Sequence, residues 1–419
     1  MSTLRPILSL LTGFFFLIIG HGLQMTLLPL RAHLEGWTPV EIGVLGSAYY
    51  VGFVGGCFGA PYLIRHAGHI RAFTALVALI SATMVSLPLA VAFWPWIVLR
   101  ALIGFGLAGL YMIIESWLND RAENTNRGLI MSIYIMVNYA ALAIGQATIV
   151  LASPATFTLF AFATITMSIA AIPLALTRQA QPQPVSTIRF RPLELYRASP
   201  VGFVGVCAVG IANGAFWALG TVAAVGAGLS VRDAALFMGL VTACGALAQW
   251  PVGRLSDRVD RRLVLIGVLI AAAVFGALFA FLPVSGPLWF VIAAFFGMSI
   301  APGYSIAAAH TYDHAPPGAF VETAAGLFLS SAAGSIVGPL LASQVMEAFG
   351  PSKLFLFTAV VQLALAAFAL SRLGRRAAPT PEEKTDFNLA VSVPVGGALP
   401  IDPDAITEQP AERPPDAAP

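Results

Sequence analysis

The chain has 419 residues, of which 58% are hydrophobic and 10% are charged, with a formal net charge of +2. Soluble domains carry about 25% charged residues, so this composition excludes an ordinary soluble protein, and its apolar content excludes a chain that is disordered throughout. Three cysteines are too few for a disulfide framework or a thiolate metal cluster, so we predict no metal and no cofactor. Nothing in the charge balance indicates nucleic acid binding.

Short polar stretches divide the chain into twelve long apolar segments. A helix needs about 20 mostly apolar residues to cross the hydrocarbon core of a bilayer. The segments that meet this requirement are 7–30, 39–64, 72–93, 97–118, 128–151, 154–176, 200–228, 233–253, 263–283, 287–309, 322–346 and 351–371. Backbone groups in lipid must be paired within the segment, which favours α-helices over barrel strands. We predict an all-α polytopic membrane protein with twelve transmembrane helices, the first of them retained because it lacks a cleavage site.

Basic side chains in the loops predict the orientation. With the N-terminus placed in the cytoplasm, sixteen arginines fall inside and only Arg31, Arg232 and Lys353 fall outside. The positive-inside rule therefore predicts that both termini are cytoplasmic. We expect a monomer in the plasma membrane, which in a bacterium is the inner membrane, with the lipid bilayer as a partner.

A polar stretch in the middle of the chain divides the segments six and six. We predict an N-terminal bundle over 1–176, a cytoplasmic linker over 177–199, a C-terminal bundle over 200–373 and a disordered cytoplasmic tail over 374–419. The halves repeat each other at an offset of about 192 residues, as in the pairs Gly13 and Gly205, Gly22 and Gly214, Glu41 and Asp233, Trp96 and Trp289, Gly104 and Gly297, and Gly145 and Gly338. Two related halves place a substrate site between them near the bilayer midplane.

Three stretches of sequence resemble the major facilitator superfamily. They are Gly253-Arg-Leu-Ser-Asp257-Arg258-Val-Asp260-Arg261-Arg262 after the eighth segment, Arg100-Ala-Leu-Ile-Gly104-Phe-Gly106-Leu-Ala108 in the fourth, and Gly334-Ser-Ile-Val-Gly338-Pro339 in the eleventh. The first is similar to the loop pattern G-x-L-x-D-R-x-G-R-R but has Asp260 where glycine is usual. In the first half, the equivalent loop departs further, with Pro61 for the first glycine and Arg65 for the acid.

Finer similarity is to the YcaD-like branch of that superfamily. It rests on Glu115-Ser-Trp, Asn126-Arg127-Gly128, Tyr139, Gly145-Gln146 and the run from Gln249 to Asp257. The resemblance implies two six-helix halves that transport a small molecule by alternating access, and it names no solute.

The resemblance also implies a cytoplasmic gate. Its candidate residues are Glu115, Arg127, Gly253, Asp257, Arg258, Arg261 and Arg262. A carboxylate such as Asp257 can face a helix N-terminus while holding a basic neighbour, in a cluster that opens and re-forms. We also expect Glu115 to pair with Arg127. The alternative is a positive-inside anchor whose acids only balance its arginines.

Ionisable groups inside a span are functional candidates by default, because their burial in lipid is expensive. Arg100 and His21 are the candidates for coupling transport to protons, and the alternative for Arg100 is a side chain that snorkels to the outer interface. Polar and aromatic residues of the spans are the substrate-cavity candidates: His21, Gln24, Met25, Tyr134, Asn138, Asn213, Trp217 and Tyr304. Any of them could instead be a helix-packing residue.

We therefore predict a secondary active transporter of a small organic solute, coupled to protons. Efflux is favoured slightly, because the Arg100 pattern is shared with antiporters although Gly145-Gln146 stands where such exporters carry Gly-Pro. The alternatives are a sugar- or metabolite-type facilitator or symporter and, in a different class, a receptor or intramembrane enzyme. The chain has no Gly-x-Ser-x-Gly, His-Glu-x-x-His or phosphate-loop motif, which argues against an enzyme.

Overall fold

The computed structural model describes residues 4–121, 127–176, 191–282, 286–315 and 320–375. Within these ranges, twelve helices are long and apolar enough to cross a membrane. This finding confirms the predicted all-α class and the number of spans. The described segments contain no strand.

Six of these helices precede the linker. They are α1 (Leu4–Leu34), α2 (Pro39–Ala67), α3 (His69–Ser86), α4 (Phe93–Arg121), α5 (Arg127–Ala147) and α6 (Phe157–Ile169, continued by Ala171–Ala175). The second six are α7 (Pro200–Gly226), α8 (Val231–Arg258), α9 (Arg261–Phe281), α10 (Gly286–Ile300, continued by Pro302–Tyr312), α11 (Phe320–Phe349) and α12 (Lys353–Arg372). The break in α10 coincides with Pro302, which has no amide hydrogen to continue the helical ladder.

Equivalent helices of the two halves begin with the same kind of cap. Thr38 caps α2, where its hydroxyl accepts from the amide of Glu41 at 3.2 Å while the Glu41 carboxylate accepts from the amide of Thr38 at 2.8 Å. Ser230, at an offset of 192 residues, caps α8 by accepting from the amide of Asp233 at 3.1 Å. Such caps satisfy amide groups that the first helical turn leaves without partners. The internal repeat therefore extends to local structure.

The repeat also extends to helix packing. A Cβ atom on Gly104 of α4 would collide with the carbonyl oxygen of Tyr49 on α2, and one on Gly297 of α10 would collide with that of Val241 on α8. Tyr49 and Val241 are themselves separated by 192 residues. Both glycines are therefore needed for close approach of one backbone to another, as is usual for small residues in membrane helix interfaces.

A second pair of helices repeats this arrangement. Gly145 of α5 lies against the backbone of Ile19 on α1, and Gly338 of α11 lies against the backbone of Ile211 on α7. Ile19 and Ile211 are again 192 residues apart. The internal repeat thus relates the helix pair α1–α5 to α7–α11, just as it relates α2–α4 to α8–α10.

We expect alanine at Gly104 or Gly297 to lower the thermal unfolding midpoint of the purified protein. The added methyl group forces the paired helices apart, and overpacking of this kind costs about 1–3 kcal/mol. Gly55 and Gly267 are matched controls, because a Cβ atom on either helical glycine would meet no atom within 4 Å. Alanine at the controls should leave the midpoint unchanged or raise it, and an equal loss at all four positions would contradict the packing interpretation.

The described end of the linker is helical. Pro192–Ala198 forms a short linker helix, which packs Leu195 against Gly326 of α11. Arg191 adds an ion pair of 3.2 Å to Glu322. The described end of the linker is therefore attached to the C-terminal half. The remaining predicted linker residues, 177–190, and the predicted tail from 376 onward lie outside the described residues.

The two halves contact each other through α2 with α11 and through α5 with α8. Ser47 of α2 donates a hydrogen bond of 2.7 Å to the carbonyl oxygen of Ile336 on α11. Gly46 approaches Ala218 of α7 at the same level. These contacts lie toward the beginning of α2, which is the predicted outer side of the membrane.

Candidate functional site

A buried group of polar and aromatic side chains lies between α1, α2 and α4. His21 and Gln24, one turn apart on α1, approach at 3.2 Å between Nδ1 and Oε1. The His21 ring stacks on the ring of Tyr49 with centroids 5.8 Å apart, and the guanidinium of Arg100 lies 4.7 Å from the centre of the same ring. We call His21, Gln24, Tyr49 and Arg100 the central cluster.

Arg100 lies inside the bundle and does not reach its surface. Only 3% of this residue is exposed, so the alternative of a side chain that snorkels to the outer interface is wrong for this conformation. Its Nε and Nη1 atoms have no hydrogen-bond partner among the described residues. A desolvated cation held mainly by an aromatic face can exchange partners readily, because no carboxylate in the described chain fixes it.

Tyr49 is the member of the central cluster that the sequence did not identify. It is 1% exposed and connects the His21 imidazole to the Arg100 guanidinium. A signal was present, because Tyr49 interrupts an apolar segment with a phenol and the repeat places Val241 at the equivalent position. Its contacts could not be inferred, since they join three separate helices.

Three cavity or gate candidates form a second group between α4 and α5. Tyr134 donates a hydrogen bond of 3.0 Å to the Glu115 carboxylate, and Tyr111 donates one of 3.1 Å to the Asn138 amide oxygen. Phe14 of α1 packs against both tyrosine rings. Glu115 is thus joined to cavity candidates within the bundle. The Arg127 side chain, its expected partner, lies outside the described residues.

The candidates on α1, α7 and α10 are buried without forming one polar patch. Met25, Asn213, Trp217 and Tyr304 are each at most 6% exposed. Among the described residues, no hydrogen bond joins Asn213 or Trp217 to His21, and the Trp217 indole N–H has no partner. The helices that carry Met25, Asn213 and Trp217, α1 and α7, contact each other across the halves.

Hydrogen bonds between side chains connect the halves along the α5–α8 contact. Thr242 donates to the Gln146 amide oxygen at 2.7 Å. Gln249 donates to the Tyr139 hydroxyl at 3.1 Å and to the carbonyl oxygen of Ala301, beside the break in α10, at 3.3 Å. In the sequence, Gln146, Gln249 and Tyr139 contributed only to the family resemblance, and their pairing required the packed structure.

The gate candidates after α8 form a charged cluster at the start of α9. Arg261 is buried, with its Nε 2.7 Å from the Asp313 carboxylate and its Nη1 3.1 Å from that of Asp257. The expected basic neighbour of Asp257, Arg258, is exposed, and the break between α8 and α9 instead brings Arg261 to this carboxylate. Asp313 follows α10, and the cluster therefore ties α8, α9 and α10 together.

Asp260, the residue that replaces the usual glycine, has a structural role of its own. It caps α9 and holds Arg262 with a contact of 2.7 Å between Oδ2 and Nη2. Burial alone raises the pKa of the Asp260 carboxyl, but the hydrogen bonds and positive charge of Arg262 outweigh this effect and hold the pKa below its usual range. Gly253, the first residue of the motif, is buried in α8.

The described part of the chain contains no group of three or more His, Cys, Asp or Glu side chains that could hold a metal ion. Cys57, Cys207 and Cys244 are unpaired thiols that lie in helices.

Known proteins share both the fold and the sequence pattern. YcaD of Escherichia coli O7:K1, an uncharacterized MFS-type transporter, is 28% identical over 386 residues, which cover 90% of this chain and 97% of the relative. The crystal structure of the nucleoside transporter NupG superposes with a TM-score of 0.75 at 13% identity, covering 89% of this chain and all of that one. A bacterial homologue of the human lysosomal transporter Spinster, inward-facing and occupied, gives a TM-score of 0.72 at 16% identity over 89% of this chain and 98% of that one. Residues 10–330 and 202–403 each match the family model described as Major Facilitator Superfamily.

Proposed function

This chain belongs to the Major Facilitator Superfamily, and we propose that it moves a small organic solute by alternating access in exchange for protons. As a member of that family it is a multi-pass membrane transporter and not an enzyme. The observation that carries the finer proposal is the central cluster, in which a buried imidazole and a buried guanidinium face one tyrosine ring. Ionisable groups are seldom buried inside a membrane for structural reasons alone.

Unpartnered donors indicate the chemistry of the solute. Buried N–H groups of Gln24, Asn138, Trp217 and Arg100 have no hydrogen-bond partner among the described residues. A buried donor left unpaired costs about 1–3 kcal/mol, so a ligand that pairs with several of these groups gains affinity. We infer a solute rich in hydrogen-bond acceptors.

Proton coupling is assigned to Arg100 and His21. Imidazole is the side chain whose ordinary titration lies nearest neutral pH, so a change in its surroundings can load or release a proton. Protonation of His21 would place two cations against Tyr49, and their repulsion would favour movement of Arg100 toward another partner. Export is the favoured direction, since the helix pattern around Arg100 resembles that of antiporters.

The Asp257–Arg261–Asp313 cluster is proposed as part of a gate on the cytoplasmic side, where we also propose that both termini lie. The described halves are joined near the beginning of α2, on the proposed outer side, which suits an arrangement that opens inward. Closing this inward opening and opening the outer side requires the side chains of the charged cluster to change partners as α8 moves.

We expect Asp257→Asn to reduce transport at least roughly tenfold while leaving membrane insertion and the thermal unfolding midpoint unchanged. The Asp257 side chain is 40% exposed, and Arg261 keeps its buried partner Asp313 in the variant. Uptake or efflux in vesicles with equal amounts of protein measures the effect. Glu347→Gln, which changes an exposed acidic residue near the end of α11, is the control. Wild-type flux in Asp257→Asn would remove the gate assignment.

The proposed activity is tested with the purified full-length protein in liposomes. Because the solute is inferred to carry acceptors, the panel contains nucleosides, the class named for the fold relative NupG, together with sugars, small organic acids and cationic drugs. Saturable flux that follows an imposed pH gradient supports the proposal. Saturable flux independent of the gradient supports the alternative, a sugar- or metabolite-type facilitator, and binding without flux for every solute supports a receptor.

A further inference from the structure

A cavity of about 200 Å³ lies within the C-terminal half, at the end of the bundle that carries the α8–α9 loop. Three of its lining residues are Arg197 of the linker helix, Arg372 at the end of α12 and Arg375 just beyond it. None of these arginines forms an ion pair within the ranges that the structure describes. No described lining residue is acidic, so the cavity has an excess of positive charge.

Arg262 forms another wall of the cavity, and its charge is already compensated. Its guanidinium holds Asp260 at 2.7 Å and donates to the carbonyl oxygens of Arg372 and Leu373 at 3.4 and 3.3 Å. These bonds fix the end of α12, which carries Arg372 and leads directly to Arg375. Arg262 therefore positions part of the cavity wall, and the other three arginines supply the uncompensated charge.

The beginning of α7 lines the same cavity. Ser199 caps this helix of 27 residues by accepting from the amide of Gly202, and Pro200 and Val201 of its first turn face the cavity. A helix N-terminus carries a partial positive charge and favours anions. His310 and His314 complete the lining, and His314 donates from Nδ1 to the carbonyl oxygen of His310 at 2.8 Å.

We propose that this cavity binds a phosphate group, which the headgroup of an anionic phospholipid supplies at the cytoplasmic face. Arginine forks match the geometry of phosphate oxygens, and basic pockets between membrane helices on this side suit lipid headgroups. Arg372 ends α12, Arg375 lies just beyond it and Arg197 lies just before α7, so all three lie at the predicted cytoplasmic ends of spans. Inorganic phosphate or another soluble phosphate ester shares this chemistry and is the alternative source.

The test compares two triple variants of the full-length protein in neutral detergent. Arg197→Gln/Arg372→Gln/Arg375→Gln removes the uncompensated charges of the cavity. Arg65→Gln/Arg71→Gln/Arg254→Gln removes three exposed arginines of the same predicted membrane face outside the cavity. Native mass spectrometry measures retained phosphatidylglycerol against phosphatidylcholine, and thermal unfolding is followed with each lipid and with inorganic phosphate.

We expect the cavity triple to bind phosphatidylglycerol at least roughly tenfold more weakly than wild type, whereas the control triple binds it normally. Phosphatidylcholine should bind equally to wild type and to both triple variants. If inorganic phosphate, and not the lipid, raises the thermal midpoint of wild type only, the phosphate site stands and its lipid source is overturned. Equal loss in both triples would show general surface attraction and overturn the site. Lipid binding that emerges only after Glu382→Gln/Glu383→Gln would show that the acidic tail occupies the cavity, which also overturns the proposal.

Discussion

Replacing Arg100 with glutamine is expected to lower flux driven by a pH gradient by more than roughly tenfold, the factor that about 1.4 kcal/mol of lost interaction produces. The folded yield and thermal midpoint should not fall, because the variant removes a buried cation that no described carboxylate compensates. Flux in liposomes and thermal unfolding in detergent measure the two quantities separately. A purely structural arginine would lose stability and flux together.

Two further variants define what the Arg100 result means. Arg100→Lys keeps the charge but loses the planar fork that lies over Tyr49, so we expect transport with an altered dependence on pH. Arg232→Gln removes an exposed arginine at the start of α8 and should behave as wild type. Wild-type flux and pH dependence in both Arg100 variants would discard its role in coupling.

Loss of Arg261 is expected to cause the largest destabilisation in the C-terminal half. Arg261→Met leaves the Asp313 carboxylate, whose side chain is 1% exposed, without its ion pair. Removing one partner of a buried pair costs about 3–5 kcal/mol, because the remaining charge stays desolvated. Thermal unfolding in detergent and the yield of monodisperse protein should both fall well below wild type.

The pair can be tested by rescue. Arg261→Met/Asp313→Asn removes the stranded charge, so it should recover a clear part of the stability that Arg261→Met loses. Arg258→Met is the matched control, since Arg258 is exposed three residues earlier and surface substitutions change stability by about 0.5 kcal/mol or less. Equal destabilisation in Arg258→Met, or no recovery in the double variant, would contradict the assigned pairing.

Membrane spans could be predicted from the sequence because each is specified locally. The length of an apolar run and the polar residues that end it locate every helix to within a few residues, and Thr38 and Ser230 mark two of the starts. The repeat even identified Gly104 and Gly297 as equivalent. That both lie against equivalent backbone positions, Tyr49 and Val241, became visible only once the helices were packed.

Side-chain partners were harder to predict, since one sequence does not say which helix faces meet. Arg100 and His21 were identified as unusual groups for a span, but Tyr49, which contacts both, was not. Glu115 was assigned to a gate, and its hydrogen bond to Tyr134, a cavity candidate, was not predicted. Asp257 is paired with Arg261 because the break between α8 and α9 brings the two groups together, which adjacency in sequence does not reveal.

The central claim is that solute movement and proton movement are obligatorily linked through the buried cluster. The direct measurement is the pH inside liposomes that contain the protein and a trapped pH-sensitive dye, recorded when a panel solute that the protein transports is added without an imposed pH gradient. We predict a solute-dependent pH change with wild type that is absent with Arg100→Gln and in protein-free liposomes. Saturable solute flux with no accompanying pH change in wild type would contradict the account.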